Sequence, residues 1–81
     1  MSEEPRLRWL CRRGMKELDV VMTRYLESHY ASASDAEKSG FKALLEMPDP
    51  DIYALLLGRV TSSNQAIDSL ARSIRNMLSQ N

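Results

Sequence analysis

Arg12-Arg13-Gly14-Met15-Lys16-Glu17-Leu18-Asp19 is the stretch where one short amphipathic segment stops and the next starts. A glycine between two helical patterns usually lies just past a helix end, where a positive φ costs nothing without a Cβ. Arg13 is therefore expected to close a first helix and Met15 to open a second. Beyond the junction, Leu18, Val21, Met22, Tyr25 and Leu26 recur at helical spacing and form one apolar stripe that should face a core. If the helical phase runs on through Gly14, then Arg13, Glu17, Val20 and Arg24 make a second row, with a valine among charges and Gly14 at its edge. Such a row beside a close-approach glycine suits a docking surface. Plain helix punctuation is the competing reading: Glu17 in a first turn favours the helix dipole, and an Arg13–Glu17 pair would add only about 0.2–0.5 kcal/mol.

The rest of the chain reads as further short helices. Residues 1–5 and 79–81 are expected to fray, with Pro5 acceptable in a first turn. Leu7, Leu10 and Cys11 give the first helix its apolar face, and Trp9 points nearly the opposite way. Trp9 is expected to pack under a neighbouring helix, a place on a binding surface being the alternative. The second helix runs from about Met15 to Tyr30, with His29 continuing its stripe as a half-buried structural residue. Ser34-Asp35-Ala36-Glu37 reads as a capping box opening a third helix to about Glu46, with Phe41, Leu44 and Leu45 on one face. Gly40 within it either weakens the helix or allows close packing. Met47-Pro48-Asp49-Pro50 is a stop and restart, with Asp49 as N-cap. The fourth helix, about Pro50 to Leu57, is apolar nearly all round and is expected at the centre of the bundle. Gly58 ends it, and Val60 to Asn64 form a polar loop. A fifth helix, about Gln65 to Leu78, carries Ile67, Leu70, Ala71, Ile74 and Leu78, with Asp68, Arg72, Arg75 and Asn76 on a solvated face. No segment reads as a strand or hairpin. The expected fold is all-α, a compact bundle of five short helices in a single domain.

Composition narrows the function. The chain has 81 residues with 11 Lys plus Arg against 11 Asp plus Glu, so the net charge is zero. Arg6, Arg8, Arg12, Arg13 and Lys16 crowd one end, yet a neutral domain lacks the overall field that supplies most non-specific nucleic-acid affinity. Nucleic acid is not the expected partner. Cys11 is the single cysteine, so no intrachain disulfide can form; it is read as a small core hydrophobe, a reactive thiol among arginines being the lesser reading. One histidine, no CxxC and no nucleophile motif leave no recognisable catalytic or metal constellation. The acidic run 46–51 lacks the ligand spacing and central glycine of a calcium loop. No apolar run is long enough to span a membrane, and the acidic N-terminus is unlike a signal or transit peptide, so a cytoplasmic protein without membrane insertion is expected. No glycine-rich phosphate cradle follows a strand, so stable binding of a dinucleotide cofactor is not expected.

Two stretches together carry a resemblance. Arg13-Gly14-x-x-Glu17 followed by Leu18 and Asp19, and Leu44-Leu45-Glu46-Met47-Pro48-Asp49-Pro50-Asp51-Ile52-Tyr53, resemble in order and spacing the two signatures of the SdhE/YgfY family of succinate dehydrogenase assembly factors. The likeness spans roughly Arg6 to Gly58. It implies a helical, non-enzymatic assembly chaperone, monomeric when free. Its implied partner is the flavoprotein subunit of succinate dehydrogenase or the related fumarate reductase, in which it promotes covalent attachment of FAD to a histidine while the partner's residues do the chemistry. Carried over by position, Arg13, Gly14 and Glu17 are the implied contacts, with Arg8, Arg12 and Asp51 around the same surface. One position departs: many family members have a Trp where this chain has Ala54, a gap that Trp9 is a candidate to fill. The alternative reading is an antitoxin-like regulatory module acting on a membrane-associated toxin.

Overall fold

The computed structural model describes residues 3–79, which fold into five α-helices with no strand among them. They are α1 (Glu4–Leu10), α2 (Lys16–Ser28), α3 (Asp35–Leu45), α4 (Asp49–Leu56) and α5 (Gln65–Leu78), with a 3-10 turn at Tyr30–Ser32 between α2 and α3. The expected all-α bundle is therefore the observed one. No helix among the described residues is long and apolar enough to cross a membrane.

Local chemistry sets most boundaries. Ser34 caps α3 by accepting the Glu37 backbone N–H at 3.1 Å. Glu37 does not complete the capping box, because its carboxylate is taken elsewhere: Tyr25 Oη donates to it at 2.7 Å and Ser73 Oγ at 2.5 Å, joining α2, α3 and α5. Burial and this hydrogen bond to Glu37 push the Tyr25 hydroxyl well above the usual tyrosine range. Asn64 caps α5, accepting from Ala66 and Ile67. Gly58, at φ +74°, ends α4 with the paired bonds Gly58 N–H to Leu55 O and Arg59 N–H to Ala54 O that define a Schellman motif.

The core is built on α3 against α5, the most extensive helix pair. Gly40 makes this approach possible: a Cβ there would lie 2.3 Å from the Ala66 carbonyl oxygen and 2.7 Å from its carbon. Close packing, not helix weakening, is the use of this glycine. Tyr25, Phe41, Leu44, Ile52, Leu70 and Ile74 are fully or almost fully enclosed around it. Tyr25 stacks on His29 with ring centres 5.8 Å apart, so His29 is the half-buried structural residue its phase implied.

Several expectations are corrected. Helix α1 stops at Leu10, with Cys11 as its C-cap, because the chain folds Cys11 fully into the core and Arg12 N–H turns back onto Trp9 O. Helix α2 ends at Ser28, two residues early, where the 3-10 turn takes over. Helix α4 is not the centre: Ile52, Leu55 and Leu56 are buried, but Leu57 is exposed and the helix lies mainly on α5. Pro48, not Asp49, is its N-cap, and Asp49 is already in the first turn. On α5, Leu78 packs half-buried on the core as its stripe implies and Met77 is buried beside it, while Arg75 is not simply solvated: its Nη1 donates to Leu55 O at 2.6 Å, satisfying an end carbonyl of α4. Trp9 is 70% exposed, since α1 lies on the bundle with its Leu7 and Cys11 side and leaves Trp9 opposite; it is not among the residues packed on the core and fills no gap there. Glu3 is not frayed, because Tyr30 Oη donates to its carboxylate and Lys42 Nζ lies 2.8 Å from it. Met1, Ser2, Gln80 and Asn81, also expected to fray, lie outside the described residues, whereas Ser79 closes α5 as its C-cap.

Candidate docking surface

The junction that opens the sequence is a loop, not a continuous helix. Gly14 has φ +80°, and Met15 is extended as the N-cap of α2. The helical phase is therefore broken there, and Arg13 does not share a row with Glu17. The Arg13 backbone N–H donates to Asp19 Oδ1 at 2.5 Å, which folds the loop against the first turn of α2.

The Arg13 side chain turns inward. Its Nε donates to Asp49 Oδ1 at 2.8 Å, Nη1 to Leu45 O at 2.5 Å and Leu10 O at 3.2 Å, and Nη2 to Met47 O at 2.6 Å. Leu45 is the last residue of α3, so the guanidinium occupies carbonyls that a helix end leaves without partners and places a cation where the helix dipole favours one. Only 15% of the side chain is exposed.

What faces outward is the α2 surface beside the loop. Arg12, Gly14, Asp19, Val20, Thr23, Arg24 and Glu27 border one shallow trough, and Lys16, Glu17, Val20 and Val21 border the next. Val20, 58% exposed, is shared by both. A Cβ at Gly14 would meet nothing within 4 Å, so this glycine answers to its backbone angle and leaves open space for an approaching chain. Glu17 and Arg12 are exposed and have no side-chain hydrogen bond or ion pair among the described residues.

The remaining candidates lie at the margins. Arg8 is held by Glu27 at 2.6 Å and Glu4 at 2.8 Å; these hydrogen bonds, Glu27 first, raise its pKa further. Its partner Glu27, not Arg8 itself, borders the same trough as Arg12 and Gly14. Asp51 is exposed on the first turn of α4 and lines a separate hollow with Met47, Ala54, Leu55 and Val60. Arg12, Gly14 and Glu17 are thus brought onto one face, Arg8 to its rim and Asp51 to another hollow. The sequence reading missed Asp19 and Asp49 as clasps of the loop. Their signal was faint, since a first-turn aspartate is explained well enough by its own helix.

No cluster of His, Cys, Asp and Glu that could hold a metal occurs among the described residues. Cys11 is enclosed, and burial pushes its thiol up to about 11 against the lowering pull of Arg13 and Arg8, so it stays protonated and unreactive near neutrality.

Comparison with known proteins adds what geometry alone does not. Residues 5–78 match the family described as Sdh5, flavinator of succinate dehydrogenase. The chain is 40% identical over 74 residues to the FAD assembly factor SdhE of Coxiella burnetii, covering 91% of this chain and 90% of that protein. It is 38% identical over 80 residues to the FAD assembly factor SdhE of Methylococcus capsulatus, covering 99% and 96%, and 39% identical over 73 residues to that of Aliivibrio fischeri, covering 90% and 85%. With a bundle that offers an open charged face and matches that run nearly end to end, the chain belongs to the family of succinate dehydrogenase flavinators, the FAD assembly factors of the SdhE type.

Proposed function

We propose that this protein is a non-catalytic assembly factor that binds the flavoprotein subunit of succinate dehydrogenase and promotes covalent attachment of FAD to it. The family match over residues 5–78 carries this reading. It favours the assembly role over an antitoxin-like module, for which no observation on this chain speaks. The docking face is Gly14, Glu17 and Arg12 around exposed Val20, with Arg8 at its rim, Arg13 beneath it and Asp51 in a separate hollow as a further contact. Glu17 supplies an acceptor, Arg12 a planar fork of donors, and Gly14 room for the partner's backbone. The chain works in the cytoplasm as a monomer when free, holds no FAD of its own, and serves fumarate reductase as a second client.

Glu17→Ala tests the face. A first-turn carboxylate is worth about 1 kcal/mol or less to the fold, so the variant should keep nearly its full melting temperature. In a strain lacking the wild-type protein it should fail to restore flavin fluorescence on the denatured flavoprotein subunit. Full restoration would remove Glu17 from the docking face, and normal flavin attachment in the strain with no copy at all would remove the assembly role.

A further inference from the structure

We propose that Arg13 is a positioning residue: its guanidinium fastens the Gly14 loop to the α3–α4 junction, and the docking face keeps its shape only while that tie is made. This rests on the docking reading above.

A guanidinium has five N–H donors in a fixed plane. Four hydrogen bonds at Arg13 draw on all three nitrogens, and every acceptor belongs to this chain. A side chain so engaged and so little exposed has scarcely a donor left for a partner. Its acceptors are at the end of α1 (Leu10), the end of α3 (Leu45), the connection (Met47) and the first turn of α4 (Asp49). With the backbone N–H on Asp19 of α2, residue 13 alone joins α1, α2, α3 and α4. Gly14 is the next residue, so its backbone goes where this clasp puts it. The two stretches that mark the chain, 13–19 and 44–53, are therefore parts of one mechanical unit. Lysine cannot substitute, because three donors on a tetrahedral nitrogen do not span acceptors spread along a planar fork.

Asp49→Asn tests the tie without touching Arg13 or the outward face, and its near-identical shape keeps the fold. Two measurements are made on it, on Arg13→Lys and on the wild type: hydrogen exchange of the Arg13 and Asp19 amides in the free protein, and affinity for the purified flavoprotein subunit. Both variants should exchange at those amides at least about tenfold faster with unchanged circular dichroism, as expected for local opening. Both should bind about tenfold more weakly, and the double variant should be no worse than the worse single one, as residues of one network are not additive. Unchanged exchange in Asp49→Asn overturns the tie whatever the binding assay gives. Unchanged affinity in Asp49→Asn beside lost affinity in Arg13→Lys overturns it too, since a contact arginine would lose nothing when its internal partner is neutralised. If the wild type does not bind the flavoprotein, the docking reading falls and positioning for docking falls with it, while the exchange measurement still decides whether the clasp exists.

Discussion

Two glycines divide the molecule into regions governed by different constraints. Gly40 lies where α3 crosses α5, with ordinary helical angles and no space: a Cβ would stand inside the Ala66 carbonyl. Gly14 lies at the head of α2, with ample space and a backbone angle that L side chains avoid. One is required by packing, the other by conformation. Around Gly40 the polar groups answer one another within the bundle, as Glu37 does between Tyr25 and Ser73. Around Gly14 the outward charges Arg12 and Glu17 have no hydrogen-bond or ion-pair partner among the described residues, and Val20 is bare. Exposed Val20 between these two charges is what the proposed docking face offers a partner.

Substitution should separate the regions most sharply at Gly40. Overpacking typically costs 1–3 kcal/mol, and because the obstacle is backbone, which cannot swing aside, Gly40→Ala should lie at or above about 3 kcal/mol in denaturant titration. A loss under about 1 kcal/mol would mean the helices slide apart freely and that the close crossing is not needed. Gly14→Ala should cost about 1–2 kcal/mol, the strain of a left-handed residue, and leave the helix content unchanged. A loss as large as that at Gly40 would erase the distinction. Smallest of all, Trp9→Ala should fall within about 0.5 kcal/mol of the wild type, as surface changes do. Trp9 is also the only tryptophan. Its fluorescence in the native protein should already resemble that of an exposed indole and be readily quenched by acrylamide; a blue-shifted, protected emission would show that the α1 face is covered.

Where a structural cause lies within a few residues, the sequence told it. The fifth helix is observed at Gln65–Leu78, as its stripe and the polar loop before it indicate, and Ser34 caps α3 as its spacing to Glu37 indicates. Causes that lie far along the chain were out of reach. Glu37 fits a capping box locally, but its partners are 12 and 36 residues away. Arg13 reads as a surface arginine next to a glycine, and its acceptors at Leu45 and Asp49 lie 32 and 36 residues on. The general habit of aromatic side chains to find cover places Trp9 inside, whereas a seven-residue helix against one side of a bundle has no second neighbour to provide it. Gly14 and Glu17 could be picked out with Arg13 by their motif, and Arg12 by its place beside them, but that Arg13 turns inward while Arg12 and Glu17 stay exposed rests on acceptors 32 and 36 residues along the chain.

The length of chain spanned by that clasp also orders events in time. Joining residue 13 to residue 45 closes a long loop, whose entropic cost is recovered only after α2 and α3 have already packed. The clasp should therefore be absent from the folding transition state, so that weakening it speeds unfolding and leaves the folding rate nearly untouched. Weakening it should also open the Gly14 end locally while the α3–α5 core stays shut, which faster amide exchange confined to that end would show.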